Sequence, residues 1–184
     1  MQILDGKALA KKIEEKVSAG AKELKMKTGR VPGLAVILVG HDPASQAYVG
    51  MKKKACDRAG FYSVTHEMPE DISQEAIIKT IEMMNLNPNI DGILIQLPLP
   101  KHIDTTKILE IVAPTKDVDG FHPYNVGRLA TGLDGFVPCT PLGVMELLAE
   151  YDIDVKGKNC CVVGASNIVG KPMAALLLNA NATV

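Results

Sequence analysis

The sequence lacks an excess of charge of either sign. Twenty Lys and Arg stand against 21 Asp and Glu, a formal net charge of −1. Nucleic-acid binders concentrate basic residues to neutralise phosphates, so this balance argues against a nucleic-acid partner. No apolar run approaches the roughly 18 residues that a membrane-spanning helix needs, which argues against a membrane partner. The first residues, MQILDGKALAKKIEEK, contain no apolar signal core and no cleavage site, and this predicts a cytoplasmic protein. Cysteine is sparse: Cys56, Cys139, Cys160 and Cys161 form no CxxC spacing. His41, His66, His102 and His122 add no paired ligand spacing, so reduced thiols and no metal site are expected. Internal repeats and low-complexity segments are also missing. At 47% hydrophobic and 22% charged residues, the composition excludes disorder as the dominant state. A length of 184 residues suits one domain, or one domain and part of another.

What is present is an alternation of helical and extended patterns. Leu9, Ile13, Val17 and Leu24 recur at helical spacing over residues 7–28, with Asp5 placed as an N-cap and Thr28-Gly29 as the end. LAVILV at 34–39 is a continuous apolar run, which suits a parallel strand buried on both faces. Helices are expected over 43–59, ending at Gly60, over 73–86 and over 104–112. Strands are expected over 61–67 and 91–97, the latter stopped by Pro98 and Pro100. Strand, helix, strand, helix, strand predicts βαβ units and a parallel sheet, with ligands at the carboxyl ends of the strands. Residues 114–139 are rich in Gly, Pro and Asp and read as a long aperiodic loop, functional or linking. Beyond it a helix is expected over 141–150, a strand over 158–163, a glycine-bounded turn over 164–170 and a helix over 171–180. Ala182-Thr183-Val184 then opens another strand. The fold class expected is therefore α/β: an N-terminal parallel-sheet catalytic domain over 1–138, then the start of a Rossmann-like dinucleotide-binding domain over 139–184. One βα unit cannot cover both faces of its strand, so the sequence reads as the N-terminal portion of a longer chain.

Four runs carry chemistry. In SQAYVGMKKK, Ser45, Tyr48 and Lys52 share one helix face. A Tyr ring beside a Lys gives a stacking surface and a proton-handling group, while the bland alternative is a solvated basic face. Gln96, at the end of the apolar ILI run, needs hydrogen-bond partners, which backbone at the strand end could supply. In KDVDGF, Asp117 and Asp119 flank a turn; either they shape an Asx-type loop or one carboxylate faces ring N–H groups of a heterocycle. GASNIVGK, between an apolar run and a helix, has small residues that let backbone approach a pyrophosphate at a helix N-terminus. This last run is not a literal GxGxxG.

Taken together, Asp5-Gly6-Lys7, LAVILVG with PASQAYV, DGILIQLPLP, KDVDGFHPYNVGRL, PCTPLGVMELL and VVGASNIVGKPMAALLLNANATV resemble the bifunctional methylenetetrahydrofolate dehydrogenase/cyclohydrolase family in its bacterial form. The resemblance spans essentially the whole chain. It implies two steps on one folate site: oxidation of 5,10-methylenetetrahydrofolate with NADP, then hydrolysis of 5,10-methenyltetrahydrofolate to 10-formyltetrahydrofolate. By motif position it makes Lys52 the proton-handling residue and Gln96 the residue that holds it. Lys54 also matches a family position, as a helix-face residue. The resemblance further implies that Tyr48 stacks on the folate ring, that Asp119 binds the pterin N–H edge, and that Leu97 and Pro98 line the pocket. Cofactor contacts carry over to Gly164, Ala165, Ser166, Ile168 and Gly170, with NADP expected over NAD and Ala165 standing where several relatives have Arg. The family is typically dimeric and serves one-carbon metabolism and purine biosynthesis, so a homodimer acting on tetrahydrofolate derivatives is expected. Two other readings compete. A shikimate-type dehydrogenase leaves QLPLP and KDVDG unexplained, and a non-catalytic folate-binding or dimerising fragment follows from the incomplete second domain.

Overall fold

The computed structural model describes residues 2–184. They form two compact units, Lys11–Lys116 and a second made of Asp117–Val184 with the residues up to Ala10.

The first unit is built on a three-stranded parallel sheet. Its strands are β1 (Gly33–Val39), β2 (Tyr62–Met68) and β3 (Gly92–Ile95), in the order β2-β1-β3. Its helices are α1 (Gly6–Thr28, which begins in the other unit), α2 (Pro43–Ala59), α3 (Gln74–Leu86) and α4 (Thr105–Ile111). The expected parallel α/β pattern is therefore present, and the expected element boundaries hold to within a residue or two. The side chains of Asp5, Asp42, Ser73 and Asp104 each accept N–H groups at the start of the helix that follows. Gly60 ends α2 in the left-handed conformation.

Strand β1 is central and almost wholly buried, which is why it reads as an unbroken apolar run. Successive side chains alternate between faces. Ala35, Ile37 and Val39 join Ile77, Ile81 and Met84 of α3 and Ile108 of α4 in one core. Val36 and Leu38 lie on the other face, and α2, whose Val49, Cys56 and Ala59 are buried, packs on β1 and β2. Burial, aided by the Asp57 carboxylate, pushes the Cys56 thiol up.

The second unit contains α5 (Pro123–Ala130), α6 (Cys139–Glu150) and α7 (Gly170–Asn179). Two expectations are corrected here. The stretch 114–139 is not aperiodic, because α5 occupies its middle. Pro123 takes the first helical position, the His122 ring accepts the Tyr124 N–H, and Asn125 and Leu129 are buried one turn apart. Helix α5 packs on α7, and Asn179 Nδ2 donates to the Leu129 carbonyl at 2.8 Å. Residues 158–163 do not form a strand. Their pairing is a single parallel bridge, Asn159 with Thr183, flanked by Cys160 N–H to the Thr183 carbonyl at 2.7 Å and Thr183 N–H to the Lys158 carbonyl at 2.8 Å. An apolar run becomes a strand only where a neighbour supplies a ladder, and Cys161–Val163 have none among the described residues. In α7, Leu177 is buried and Leu178 is 58% exposed, so only part of its apolar surface faces outward.

Candidate functional site

The sheet order creates the site in the first unit. The chain leaves β1 through α2 to reach β2 on one side, then passes through α3 to reach β3 on the other. Connections that depart in opposite directions open a crevice at the carboxyl ends of the two strands between which they diverge, here β1 and β3. After β1 comes Gly40-His41-Asp42 and the start of α2. After β3 comes Gln96, whose N–H donates to the Ile37 carbonyl of β1 at 2.9 Å and so extends the pairing by one residue. The strand itself stops at Ile95, one residue before Gln96 and earlier than expected.

Lys52 and Gln96 meet across this crevice. Lys52 Nζ donates to Gln96 Oε1 at 3.0 Å. Gln96 Nε2 donates to the Leu97 carbonyl at 2.9 Å. The second bond settles which end of the amide faces the lysine, because the donor end is occupied and only the acceptor is left. Both residues are half-buried. Tyr48, one turn earlier on α2, is 58% exposed. Leu97 is half-buried and Pro98 exposed, and the peptide between them is cis. Lys54 is exposed. Ser45 is buried at the start of α2, where its amide donates to Asp42 Oδ2 at 2.7 Å. This amide and the Ser45 hydroxyl hold the Asp42 carboxyl below its ordinary range.

In the second unit the two carboxylates of KDVDG have different environments. Asp117 is turned inward and buried, accepting the N–H groups of Phe121 and His122 and the side-chain amide of Asn125. Asp119 is half-buried, with Oδ1 3.9 Å from the Cys139 thiol. Gly120, which follows Asp119, has φ +66°, and a Cβ there would lie 2.7 Å from the Phe136 carbonyl oxygen. The resemblance singles out Asp119, while the residues alone do not separate the two carboxylates and give Asn125 no part; the signal available is an Asn at the third helical position behind a Pro.

The turn before α7 closes on itself. Gly164 has φ +135°, and a Cβ on Gly170 would meet the Gly164 carbonyl oxygen at 2.3 Å, so no larger residue fits at position 170. Ser166 Oγ accepts the N–H groups of Val169 and Gly170 at 3.1 and 3.2 Å, and the Ser166 carbonyl accepts that of Lys171. The first amides of α7 are thereby occupied. The amides of residues 165–168 donate to no group among the described residues. Ala165 and Ile168 are exposed. An open concavity of about 420 Å³ adjoins the turn, lined by Gly164, Ala165, Gly170 and Lys171 among others. Free backbone amides beside small residues fit a pyrophosphate, so the residues present suit a dinucleotide. The anion would be met by the loop, with the helix end already satisfied.

Two protein families match the chain. Residues 4–119 match the tetrahydrofolate dehydrogenase/cyclohydrolase catalytic domain, and residues 138–184 match the NAD(P)-binding domain of the same enzymes. The bifunctional protein FolD of Sulfurimonas denitrificans is 83% identical over 184 residues, which are all of this chain and 65% of that protein. The corresponding protein of a Sulfurovum species is 71% identical over the same residues and 66% of its own length. Among solved structures, the bifunctional FolD enzyme of Campylobacter jejuni superposes with a TM-score of 0.97 at 53% identity, covering all of this chain and 65% of that one. The methylenetetrahydrofolate dehydrogenase-cyclohydrolase of Trypanosoma brucei, solved with NADP cofactor and inhibitor, has a TM-score of 0.95 at 38% identity, covering 99% of this chain and 62% of that one. The chain thus spans about 65% of the length of the curated relatives it matches. With the catalytic-domain match running over more than half of its residues, the chain belongs to the tetrahydrofolate dehydrogenase/cyclohydrolase family.

Proposed function

We propose that the chain carries the folate site and the first part of the dinucleotide site of an enzyme with two activities. The first step oxidises 5,10-methylenetetrahydrofolate to 5,10-methenyltetrahydrofolate. NADP, when bound, accepts the hydride lost from the methylene carbon. In the second step water adds to the methenyl carbon, the bond from that carbon to N5 breaks, and one proton is released as 10-formyltetrahydrofolate forms. The observation that carries this reading is the Lys52–Gln96 hydrogen bond at the β1/β3 crevice.

The methenyl carbon is an electrophilic amidinium-type centre, and its hydrolysis needs a group that moves protons between water and the ring nitrogen. Lys52 takes that role. Gln96 accepts one Nζ–H and leaves the rest of the amine free for the reacting atoms. With its own Nε2 tied to Leu97, Gln96 presents one fixed acceptor, which limits where Nζ can sit. Tyr48, exposed one turn away on α2, supplies a flat face for the folate ring, and Leu97 and Pro98 supply apolar wall. Asp119 binds the pterin N–H edge. In this assignment residues 1–138 form the folate-binding catalytic domain and residues 139–184 begin the NAD(P)-binding domain. Gly164, Ala165, Ser166, Ile168 and Gly170 hold the dinucleotide, and NADP is favoured over NAD by the cofactor named with the Trypanosoma brucei relative.

The same reading makes the protein a cytoplasmic homodimer that serves one-carbon metabolism and purine biosynthesis and binds neither nucleic acid nor membrane. Sedimentation checks the dimer, which a monomer at all concentrations would exclude. The test of function is turnover: NADP reduction that depends on 5,10-methylenetetrahydrofolate supports the enzyme. The second reading is a folate-binding piece without catalysis. It predicts folate binding without NADP reduction.

A further inference from the structure

We propose that Asp117 is a positioning residue for the pterin-binding carboxylate of Asp119, and that it acts as a pair with Asn125. The proposal rests on the folate reading above, because it concerns how that reading's Asp119 is held.

Asp117 is 4% exposed and Asn125 is 2% exposed. Burying a carboxylate is costly unless donors surround it. Here Oδ1 accepts the Phe121 N–H at 3.2 Å, and Oδ2 accepts the His122 N–H at 2.9 Å and Asn125 Nδ2 at 2.8 Å. The Asp117 backbone carbonyl accepts the Gly120 N–H at 3.0 Å. One residue therefore gathers three consecutive amides and one helix side chain. The segment Val118–Phe121 becomes a loop closed at both ends by a single carboxylate, with Asp119 inside it. The Asp119 side chain accepts none of these closing bonds.

The far end of the loop is tied to α5. His122 is the residue before its first turn, and Asn125 lies in that turn, directed back to Asp117. A loop fixed by charge-assisted bonds to a helix has little freedom to shift, which is what a recognition carboxylate needs. A solely stabilising role predicts something different. Losing Asp117 would then lower the folded fraction but leave the folded molecules with normal folate affinity.

The measurements are dissociation constants of the 184-residue chain for 5,10-methenyltetrahydrofolate and, separately, for NADP, by titration calorimetry. Asp117→Asn keeps the shape but turns an N–H donor toward N–H groups. The expected result is a folate dissociation constant raised about tenfold, as for loss of a charge-assisted bond that orients a contact, with NADP affinity unchanged. The double change Asp117→Asn with Asn125→Asp lets residue 117 donate and residue 125 accept; because the His122 N–H donates to the same Asp117 oxygen, it should recover part of the loss and not all of it. Asp119→Asn serves as the parallel control. If it binds folate normally, the role of Asp119 in the folate reading fails, and the proposal falls with it. If it weakens binding while folded Asp117→Asn binds normally, the folate reading stands and the positioning proposal alone is overturned. If Asp117→Asn does not fold, Asn125→Ala decides: it leaves the carboxylate its two backbone donors, and a loss of about threefold in folate affinity supports the proposal, whereas no loss overturns it.

Discussion

Replacing Gly120 by Ala adds one methyl group at the turn that carries Asp119. Its cost follows from two independent features. Gly120 has φ +66°, where an L-residue costs about 1–2 kcal/mol relative to the right-handed region. The added Cβ would also lie 2.7 Å from the Phe136 oxygen, 2.9 Å from the Phe136 carbonyl carbon and 3.0 Å from that of Val137. All three are backbone atoms, so no side chain can swing aside, and one of the two segments must move. Overpacking of this kind costs about 1–3 kcal/mol. The stiffer unfolded chain returns about 0.4–1 kcal/mol. The net expectation is a loss of roughly 1–4.5 kcal/mol, a large share of the about 5–15 kcal/mol typical of a domain. Guanidinium unfolding should show a lower midpoint with an unchanged slope. Gly20→Ala, in α1 with nothing within 4 Å of the new Cβ, is the control and should gain about 0.5–1 kcal/mol. A Gly120→Ala loss below about 1 kcal/mol would refute the steric reasoning, because left-handed strain alone would then account for all of it.

Other expectations concern the first unit. Ile81 is fully buried in the core between β1 and α3, so Ile81→Ala should cost about 2–5 kcal/mol by the same unfolding assay, whereas Met83→Ala, at a position 65% exposed, should change stability by less than about 0.5 kcal/mol. The Arg30 guanidinium beside Asp91, together with the Gly33 N–H, holds the Asp91 carboxyl below the usual carboxylate range. A depressed folded value means that this pair stabilises the fold above the unfolded carboxyl value, about 3.9, and that the contribution is lost as pH falls through the lower folded value. Asp91→Asn should therefore flatten the acid limb of stability against pH, and an unchanged acid limb would show that the pair does not contribute.

Much of the fold is legible in the sequence because its signals are local. LAVILV is apolar at every position because β1 is buried on both faces. Helices α2 and α3 end and begin where Gly60 and Ser73 say they should. The Lys52–Gln96 pair is legible through the family resemblance; the residues by themselves require a partner for Gln96, which backbone could equally supply. Helix α5 is hidden because PYNVGRLA has a glycine inside it and buries Asn125, a polar residue, where a pattern search looks for an apolar one. The inward, loop-closing role of Asp117 is equally hidden. It depends on the amides of residues 121 and 122 and on Asn125, which become neighbours only once the loop has closed. The segment 158–163 shows the converse error: its apolar pattern is sufficient for a strand, but its described pairing is one bridge.

If Lys52, held by Gln96, handles the protons of methenyl hydrolysis, removing its amine removes that catalysis. The most direct measurement is the rate at which 5,10-methenyltetrahydrofolate is hydrolysed by the protein and by Lys52→Met, above the uncatalysed rate, with circular dichroism to confirm that the variant is folded. Met retains the length and apolar stem of the lysine but has no proton to move. The folded variant is expected to lose essentially all catalysed hydrolysis, consistent with the roughly 10²–10⁴-fold contribution typical of a positioned acid or base. A folded Lys52→Met protein that hydrolyses at the unsubstituted rate would contradict that role for Lys52.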